Sequence, residues 1–450
     1  MGSCLSADGQ RGGSSPSSPA SGTRRQRGRL RRLTRTSLEE DDELCRIPGR
    51  KFRNGSTNTA SLFTQQGKKG TNQDAMIVWE NFGDRSDTVF CGVFDGHGPN
   101  GHTVARKVRD ILPLNLRASW ELIVGNDESK QNHTDTMNSN VIPSPIPMDE
   151  SIASTGFDEK DRRSKFSKTM KDSFLKAFRI VDKELRLHPE IDCFYSGTTA
   201  VTLVKQAQDL VIGNVGDSRA VLGTRDENNS LIAVQLTLDL KPSLPREAER
   251  IRRCRGRIFA LRDEPEVVRV WLPNIDSPGL AMARAFGDFC LKDFGLISVP
   301  EVSYRRITEK DEFIVLASDG VWDVLSNKEA IHIVASAPTR ASAARYLIES
   351  AVQAWKSKYP TSKIDDCAAV CLFLNTDTSN NSTLRGSEAD GTLHEVEVVG
   401  HKQVYHRAET TDKCGNHQAS SLMTLHSWMK SSPTLLECPG LSLSLSFVLK

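Results

Sequence analysis

Three aspartates stand at the ends of apolar runs, and this arrangement restricts the folds open to the chain. Asp95 follows the apolar run of residues 89–94, and Asp319 follows the run of residues 313–317. Asp365 stands just before the run of residues 367–374. Runs of this length predict buried strands, so each carboxylate stands at the edge of a core. A buried carboxylate costs free energy unless a cation compensates it, and converging carboxylates favour a hard divalent ion. The sequence therefore predicts a metal site at strand ends.

Composition indicates a globular protein that stays inside the cell. The 450 residues include 59 basic and 57 acidic side chains, and 38% are hydrophobic. No run approaches the roughly twenty apolar residues of a membrane span, and the N-terminus lacks the apolar stretch of a secretory signal. The ten cysteines include no CxxC pair, which favours reduced thiols over a disulfide framework or a zinc ribbon. Cys367 and Cys371 share one face of a strand-like run and are predicted core residues.

The chain divides into three regions. Residues 1–56 hold mostly Ser, Gly, Pro and Arg and predict a disordered arm. Residues 57–375 alternate strand-like and helical patterns and predict the folded domain, with a polar insert at about residues 125–160 that is predicted to be a surface loop. Residues 376–450 are polar and aperiodic and predict a low-order tail.

Strand patterns follow one another without helices between them, which indicates antiparallel sheets. Predicted strands cover residues 75–80, 89–94, 198–204, 210–215, 220–222, 312–317 and 368–373. Predicted helices cover residues 104–123, 165–187 and 326–356, the last broken at Pro338. The expected architecture is α+β, with two antiparallel sheets in a sandwich flanked by helices.

The arm carries three membrane signals. Its first six residues match the N-myristoylation pattern at Gly2, Cys4 is a candidate for palmitoylation, and seven arginines lie between Arg24 and Arg35. One acyl chain binds membranes weakly, whereas a second chain or a polybasic patch makes anchoring stable. The alternatives are a chance match at Gly2 and, for the arginines, a nuclear signal or a nucleic-acid patch.

Two Asp-Gly pairs indicate where the chemistry lies. Asp95-Gly96-His97-Gly98 lets the Gly96 carbonyl approach an ion, although Asp-Gly is also a common hairpin signal. Asp319-Gly320 repeats the pair after a second apolar run, and Asp323 follows four residues later. Carboxylates without a Cys or His cluster favour Mg²⁺ or Mn²⁺ over zinc.

In order along the chain, seven segments resemble the metal-dependent protein phosphatases of type 2C, and specifically the plant members. The segments are Gly67-Lys68-Lys69-Gly70-Thr71-Asn72-Gln73-Asp74, Asp95-Gly96-His97-Gly98, Ser196-Gly197-Thr198-Thr199-Ala200, Asn214-Val215-Gly216-Asp217-Ser218-Arg219, residues 280–288, the Asp319 segment and Asp365-Asp366. The resemblance covers the folded region and leaves out both termini. It implies an αββα sandwich that hydrolyses phosphoserine and phosphothreonine in proteins with two Mn²⁺ or Mg²⁺ ions.

The resemblance also assigns roles to positions of this chain. It implies that Asp95 bridges both ions, that Gly96 binds one through its carbonyl, and that Asp319 and Asp365 complete the pair. Asp74 matches an acidic position that supports the site. Asp217 and Asp323 match carboxylates that hold, with Asp319, a third and weaker ion. The alternative for Asp217 is to cap a hairpin turn, and for Asp323 to cap the next helix.

The expected mechanism is direct attack on phosphorus by a dimetal-bound hydroxide, since two ions lower the pKa of a shared water towards about 7. His97 matches the family's candidate for protonating the leaving oxygen, and its alternative is to orient a metal-bound water. Lys69 stands where many members have a phosphate-gripping Arg, and Gln73 stands where many have Glu. Both variants recur in plant members and do not indicate inactivity.

The expected partners are phosphoprotein substrates and the cytoplasmic face of the plasma membrane, with a cytosolic or nuclear pool as the alternative localisation. Nucleic acid is not expected, because the folded region is nearly neutral. Monomer is the family default. The competing hypothesis is a catalytically weak scaffold that binds phosphoproteins. Trp271 lies in a segment that forms a flap beside the active site in this fold, where it either touches substrate or packs in a core.

Overall fold

The computed structural model describes residues 47–135 and 155–374, in which two six-stranded antiparallel sheets pack together. In spatial order the first sheet holds Arg50–Lys51 (β1), Ala75–Glu80 (β4), Thr88–Phe94 (β5), Ala200–Gln206 (β8), Asp209–Val215 (β9) and Glu301–Arg306 (β16). The second holds Leu231–Gln235 (β11), Arg219–Arg225 (β10), Asp311–Ala317 (β17), Cys367–Phe373 (β18), Ala60–Gln65 (β3) and Gly55–Ser56 (β2).

Two small sheets and the helices complete the described chain. One sheet holds Arg257–Leu261 (β12), Glu264–Trp271 (β13) and Pro278–Leu280 (β14); the other holds Phe286–Gly287 (β15), Gly197–Thr198 (β7) and Gly96–His97 (β6). The α-helices are Gly101–Asp135 (α1), Thr155–Leu187 (α2), Pro245–Arg253 (α3), Phe289–Lys292 (α4), Asp319–Trp322 (α5), Asn327–Ala335 (α6) and Ala343–Lys358 (α7). Short 3-10 turns form at Phe82–Asp84 and Arg340–Ser342.

Side chains on opposite faces of each strand enter different cores. In β4, Met76 and Val78 pack between the two sheets, whereas Ile77 and Trp79 pack under α1 and α2. This period of two is the geometry of a strand, and burial on both faces explains why the strands read as continuous apolar runs. Helices α6 and α7 cover the outer face of the second sheet. The layers are therefore helix, sheet, sheet and helix, as expected.

The predicted strands are present, with small differences in their bounds. The strand predicted at residues 198–204 is divided into β7 and β8 at Thr199, and the break predicted at Pro338 separates α6 from α7. Cys367 and Cys371 are fully buried, which confirms that both are core residues.

The structure corrects two predicted boundaries. Residues 125–135 and 155–160 were predicted as loop but are helical, because each continues a helix whose neighbouring part is buried, and elongation of an existing helix is easier than its nucleation. The arm predicted over residues 1–56 ends earlier, since β1 and β2 pair with their sheets. Residues 136–154, most of the arm and the predicted tail from residue 376 lie outside the described residues.

None of the helices within residues 47–135 and 155–374 combines the length and apolar character needed to cross a membrane.

We predict that Gly213→Ala destabilises the fold, because α2 and β9 touch at this residue. A Cβ on Gly213 would lie 2.4 Å from Cδ1 of the buried Phe174 ring. Overpacking of this kind lowers the free energy of unfolding by about 1–3 kcal/mol, measured by urea denaturation. Gly125→Ala in α1 is the control, since its Cβ meets no atom within 4 Å and alanine favours helix. Equal stability losses in both variants would contradict the close contact.

Candidate active site

Strand pairing places four predicted aspartates at one end of the sandwich. Ala75 pairs with Phe94, so Asp74 and Asp95 lie together just beyond β4 and β5. Ala317 pairs with Ala369, so Asp319 and Asp365 lie together beyond β17 and β18. The antiparallel registers therefore bring residues that are distant in sequence to the same edge of each sheet.

Electrostatic interactions join the two pairs into one acidic centre. Burial, followed by repulsion from Asp319, Asp74 and Asp365, raises the pKa of Asp95 well above its usual range. Burial also raises the pKa of Asp319 well above its usual range, and Asp323 and Asp365 add to the effect. Because Coulomb repulsion falls with distance, these shifts indicate carboxylates that lie close together in a poorly solvated site.

Lys69 is the cation at the edge of this acidic centre. Its Nζ donates a hydrogen bond to Oδ2 of Asp365. Burial lowers the pKa of Lys69, but attraction by Asp365 and Asp319 outweighs this effect and the net pKa is raised. The Lys69 side chain is still 30% exposed, so its ammonium is accessible from solvent at the edge of the acidic centre.

Two hydrogen-bonded supports hold the loop of Lys69 and the carboxylate of Asp74. Asp366 accepts hydrogen bonds from the backbone amides of Gly67 at 2.7 Å and Gln73 at 2.9 Å, which closes the loop that carries Lys69. Ser318 Oγ donates to Asp74 Oδ2 at 2.7 Å and accepts from the Ala368 amide at 3.0 Å. Both supports cross between strand ends, and the Ser318 bonds are fully buried.

His97 is fixed by a partner that sequence reasoning did not single out. Its Nε2 lies 2.5 Å from Oδ2 of Asp288, and both side chains are buried. The small sheet explains the contact, because β15, which precedes Asp288, pairs with β7, and β7 pairs with β6, which contains His97. Within the described chain, Nδ1 of His97 is buried without a hydrogen-bond partner.

Asp217 lies beside the acidic centre, where it interacts with Asp323 and Asp319. Neither of its buried carboxylate oxygens makes a hydrogen bond to another described residue, and Lys241 Nζ is 3.8 Å away. Burial raises the pKa of Asp217, Lys241 opposes this shift, and Asp239 and Asp323 add to it. The turn-capping alternative for Asp217 therefore lacks its hydrogen bond. Asp323 does not cap the next helix either, because Ser326 forms the capping box of α6.

The structure thus brings together Asp74, Asp95, Asp319, Asp365 and Lys69, with His97 on the strand that follows Asp95. Across residues 47–135 and 155–374, no three His, Cys, Asp or Glu side chains are already gathered as a metal-ligand cluster. The donor types nevertheless fit Mg²⁺ or Mn²⁺, because all are oxygens. A Cβ on Gly96 would lie 2.4 Å from the Gly101 carbonyl oxygen, so only glycine fits beside Asp95.

Trp271 takes the packed alternative of its two predicted roles. It is buried, stacks on Phe259 with ring centroids 4.8 Å apart, and donates from Nε1 to the Phe259 carbonyl. The sequence did not predict two buried or half-buried side-chain pairs of this region. They are Asp288 with His97 and Asp182 with Lys292. No local pattern indicates either contact, since the partners are 191 and 110 residues apart.

Known proteins resemble this chain over most of its length. Residues 60–355 match the family model described as Protein phosphatase 2C. "Probable protein phosphatase 2C 33" of Arabidopsis thaliana is 60% identical over 418 residues, 88% of this chain and 84% of the relative. "Probable protein phosphatase 2C 66" of Oryza sativa subsp. japonica is 60% identical over 359 residues, 80% of this chain and 67% of the relative. A solved serine-threonine phosphatase 2C of Toxoplasma gondii is 25% identical, with a TM-score of 0.59, over 73% of this chain and 99% of that one.

We predict that Ser318→Ala destabilises the protein. The substitution leaves the Asp74 carboxylate and the Ala368 amide without their buried hydroxyl partner. Unsatisfied buried groups of this kind cost about 1–3 kcal/mol in the free energy of unfolding, measured by urea denaturation. Ser336→Ala is the matched control, because Ser336 is exposed and donates only to the Ile333 carbonyl. A Ser318→Ala variant as stable as this control would show that the support is unimportant.

Proposed function

The chain belongs to the protein phosphatase 2C family and is a protein serine/threonine phosphatase, and from this premise we propose how its own residues perform the reaction. Members of the family generally use Mn²⁺ or Mg²⁺. The proposed ligands are the carboxylates of Asp95, Asp319 and Asp365 and the Gly96 carbonyl, with Asp74 in support. The observation that carries this assignment is the strand registers, which place Asp74 with Asp95 and Asp319 with Asp365 at the ends of the two sheets.

When bound, two divalent ions supply an activated water at neutral pH and stabilise negative charge on the phosphoryl group. Asp95 is suited to a bridging position, because it interacts with Asp74 on its own sheet and with Asp319 and Asp365 on the other. Asp217, Asp319 and Asp323 are the proposed ligands of a third, weaker ion. The buried oxygens of Asp217, without a hydrogen bond to another described residue, support that assignment.

Lys69 is proposed to bind the phosphate of the substrate. Its raised pKa keeps the ammonium charged, and its partial exposure leaves it accessible from solvent. A lysine acts as a point charge on a flexible stem, so it attracts the phosphate without the bidentate geometry of arginine.

His97 is proposed to protonate the leaving serine or threonine oxygen. An ionised Asp288 accepts a hydrogen bond and cannot donate one, so its contact holds the proton on Nε2 of His97. Donation from Nδ1 then requires the doubly protonated imidazolium, which would give its Nδ1 proton to the leaving oxygen and remain a neutral imidazole with its proton on Nε2. Nδ1 has no hydrogen-bond partner within the described chain. The alternative role, orienting a water at the metal site, uses the same nitrogen.

We predict that the purified protein releases phosphate from a phosphothreonine peptide with Mn²⁺ or Mg²⁺ and loses this activity with chelator. Asp95→Asn and Asp319→Asn should each lower kcat/KM by more than about 100-fold, because each removes a charged oxygen ligand. Asp263→Asn, in the exposed turn between β12 and β13, is the control and should keep full activity. Absence of turnover from folded protein with either metal would instead support the scaffold hypothesis.

We also propose that the N-terminal arm tethers the enzyme to the cytoplasmic face of a membrane. The supporting observations are the acylation pattern at Gly2, Cys4 beside it and the seven arginines from Arg24 to Arg35. Two acyl chains, or one chain with a polybasic patch, supply the binding energy that a single myristoyl chain lacks.

We predict that Gly2→Ala moves the full-length protein from the membrane to the soluble fraction of cells, and that Cys4→Ser does so in part. Fractionation with mass spectrometry of the N-terminal peptide measures both position and acylation. Ser3→Ala, which keeps both acylation residues, is the control. Membrane attachment that survives Gly2→Ala would contradict the tether, and nuclear retention that survives it would favour the nucleic-acid alternative for the arginines.

A further inference from the structure

A cleft lies behind the His97 and Asp288 pair. It is a cleft of about 280 Å³ between the C-terminal half of α2 and the residues that follow β15. The acidic centre described above contributes no residue to it. We call it the basic cleft because Arg179, Lys183, Arg186 and Lys292 all line it.

Three of these cations form one stripe on α2. Arg179, Lys183 and Arg186 are spaced by four and three residues, so they lie on the same face of the helix. All three are exposed, and none forms an ion pair with a carboxylate of the described residues. The guanidinium of Arg186 lies over the Phe289 ring, 5.7 Å from its centroid. The stripe therefore presents uncompensated positive charge to the cleft.

The one carboxylate that lines the cleft is already neutralised. Asp182 accepts hydrogen bonds from Lys292 Nζ at 2.9 and 3.0 Å and from the Gly287 amide at 3.0 Å. Lys292 also donates to the Ala285 carbonyl at 2.8 Å, so this pair is built into the wall. Because Asp182 and Lys292 compensate each other, the three cations of α2 set the charge of the cleft.

Apart from Ser298, the rest of the lining is apolar. Leu175, Phe289 and Val299 all line the cleft, and Val299 is 48% exposed. An apolar floor beneath a cationic rim suits a peptide better than a small free anion, because a peptide buries apolar atoms while its acidic side chains reach the rim.

Three consecutive residues connect the cleft to the proposed active site. Gly287 is held by Asp182, Asp288 contacts His97, and Phe289 lines the cleft. The cleft and His97 therefore lie on either side of one short segment. Each residue of an extended peptide adds about 3.3 Å, so a peptide of a few residues that passes this segment could contact both places.

We propose that the basic cleft docks an acidic segment of the phosphoprotein substrate, bearing carboxylates or a second phosphate, while the phosphorylated residue occupies the active site. The proposal rests on the phosphatase function and adds a determinant of substrate choice. Docking lowers KM for substrates with acidic residues at the correct spacing and leaves the chemical step unchanged.

The test compares three phosphothreonine peptides with the full-length enzyme at fixed ionic strength. One carries three glutamates four to six residues before the phosphothreonine, one carries them the same distance after it, and one carries glutamines at both places. One of the acidic peptides should show a kcat/KM about tenfold above the glutamine peptide, since several exposed ion pairs add small gains. The double variant Arg179→Gln, Lys183→Gln should remove this preference through KM, with kcat and the glutamine peptide unaffected.

The double variant Lys168→Gln, Lys171→Gln is the matched control. It removes the same charge from exposed positions of α2 that lie at least about 12 Å along the helix from Arg179, the nearest of the three cations, and it should keep the preference. Equal loss in both double variants would mean a general charge effect and would overturn the proposal. Absence of any preference in the unaltered enzyme would overturn it as well.

A binding measurement separates failure of docking from failure of catalysis. Fluorescently labelled versions of the three peptides are titrated with protein in the presence of chelator, where anisotropy reports affinity without turnover. The preferred acidic peptide should bind about tenfold more tightly than the glutamine peptide, and the cleft variant should lose this difference. Docking is refuted if all three peptides bind equally, whatever their turnover. It is also refuted if the cleft variant binds the peptides as the unaltered enzyme does and loses affinity only for vesicles with anionic lipids. That outcome would identify a membrane contact.

Discussion

The proposed active site depends on holding carboxylates together against their mutual repulsion. Two sheets achieve this by ending at the same place, so that Asp74 and Asp95 from one meet Asp319 and Asp365 from the other. Strand registers fixed by two buried faces leave the backbone little freedom to separate these residues. Lys69 reduces the repulsion at the rim, and the buried Ser318 hydroxyl anchors one carboxylate within. The stability of the sandwich thus supports an arrangement that would be unfavourable in a looser chain.

Much of this could be predicted because the information is local. Apolar runs identified the strands, a helical period identified the amphipathic face of α2, and Asp-Gly pairs at strand ends identified the acidic residues. The resemblance then related these pieces to one another. Four of the predicted aspartates lie at one end of the sandwich, and Asp217 and Asp323 interact electrostatically with this group. Their occupation by metal ions remains a prediction.

The contacts that the sequence did not predict join residues far apart in the chain, and no short sequence pattern indicates them. Asp288 reaches His97 because two very short strands, β7 and β15, happen to pair, and runs of two residues are too brief to show a period. In the sequence Asp182 looks like an ordinary helix residue, because its partner Lys292 follows 110 residues later. The helical segments at residues 125–135 and 155–160 were missed because their polar composition was taken as evidence of a loop. Polar composition is also compatible with a helix in solvent.

The three-stranded sheet of β12, β13 and β14 has a hydrophobic core of its own, which includes Ile251, Val270 and Leu280. That core is distinct from the one between the large sheets. Mutations on the outer surface of this unit can therefore accumulate without disturbing the carboxylates. The surface of this unit is therefore free to vary while the core between the large sheets keeps its packing.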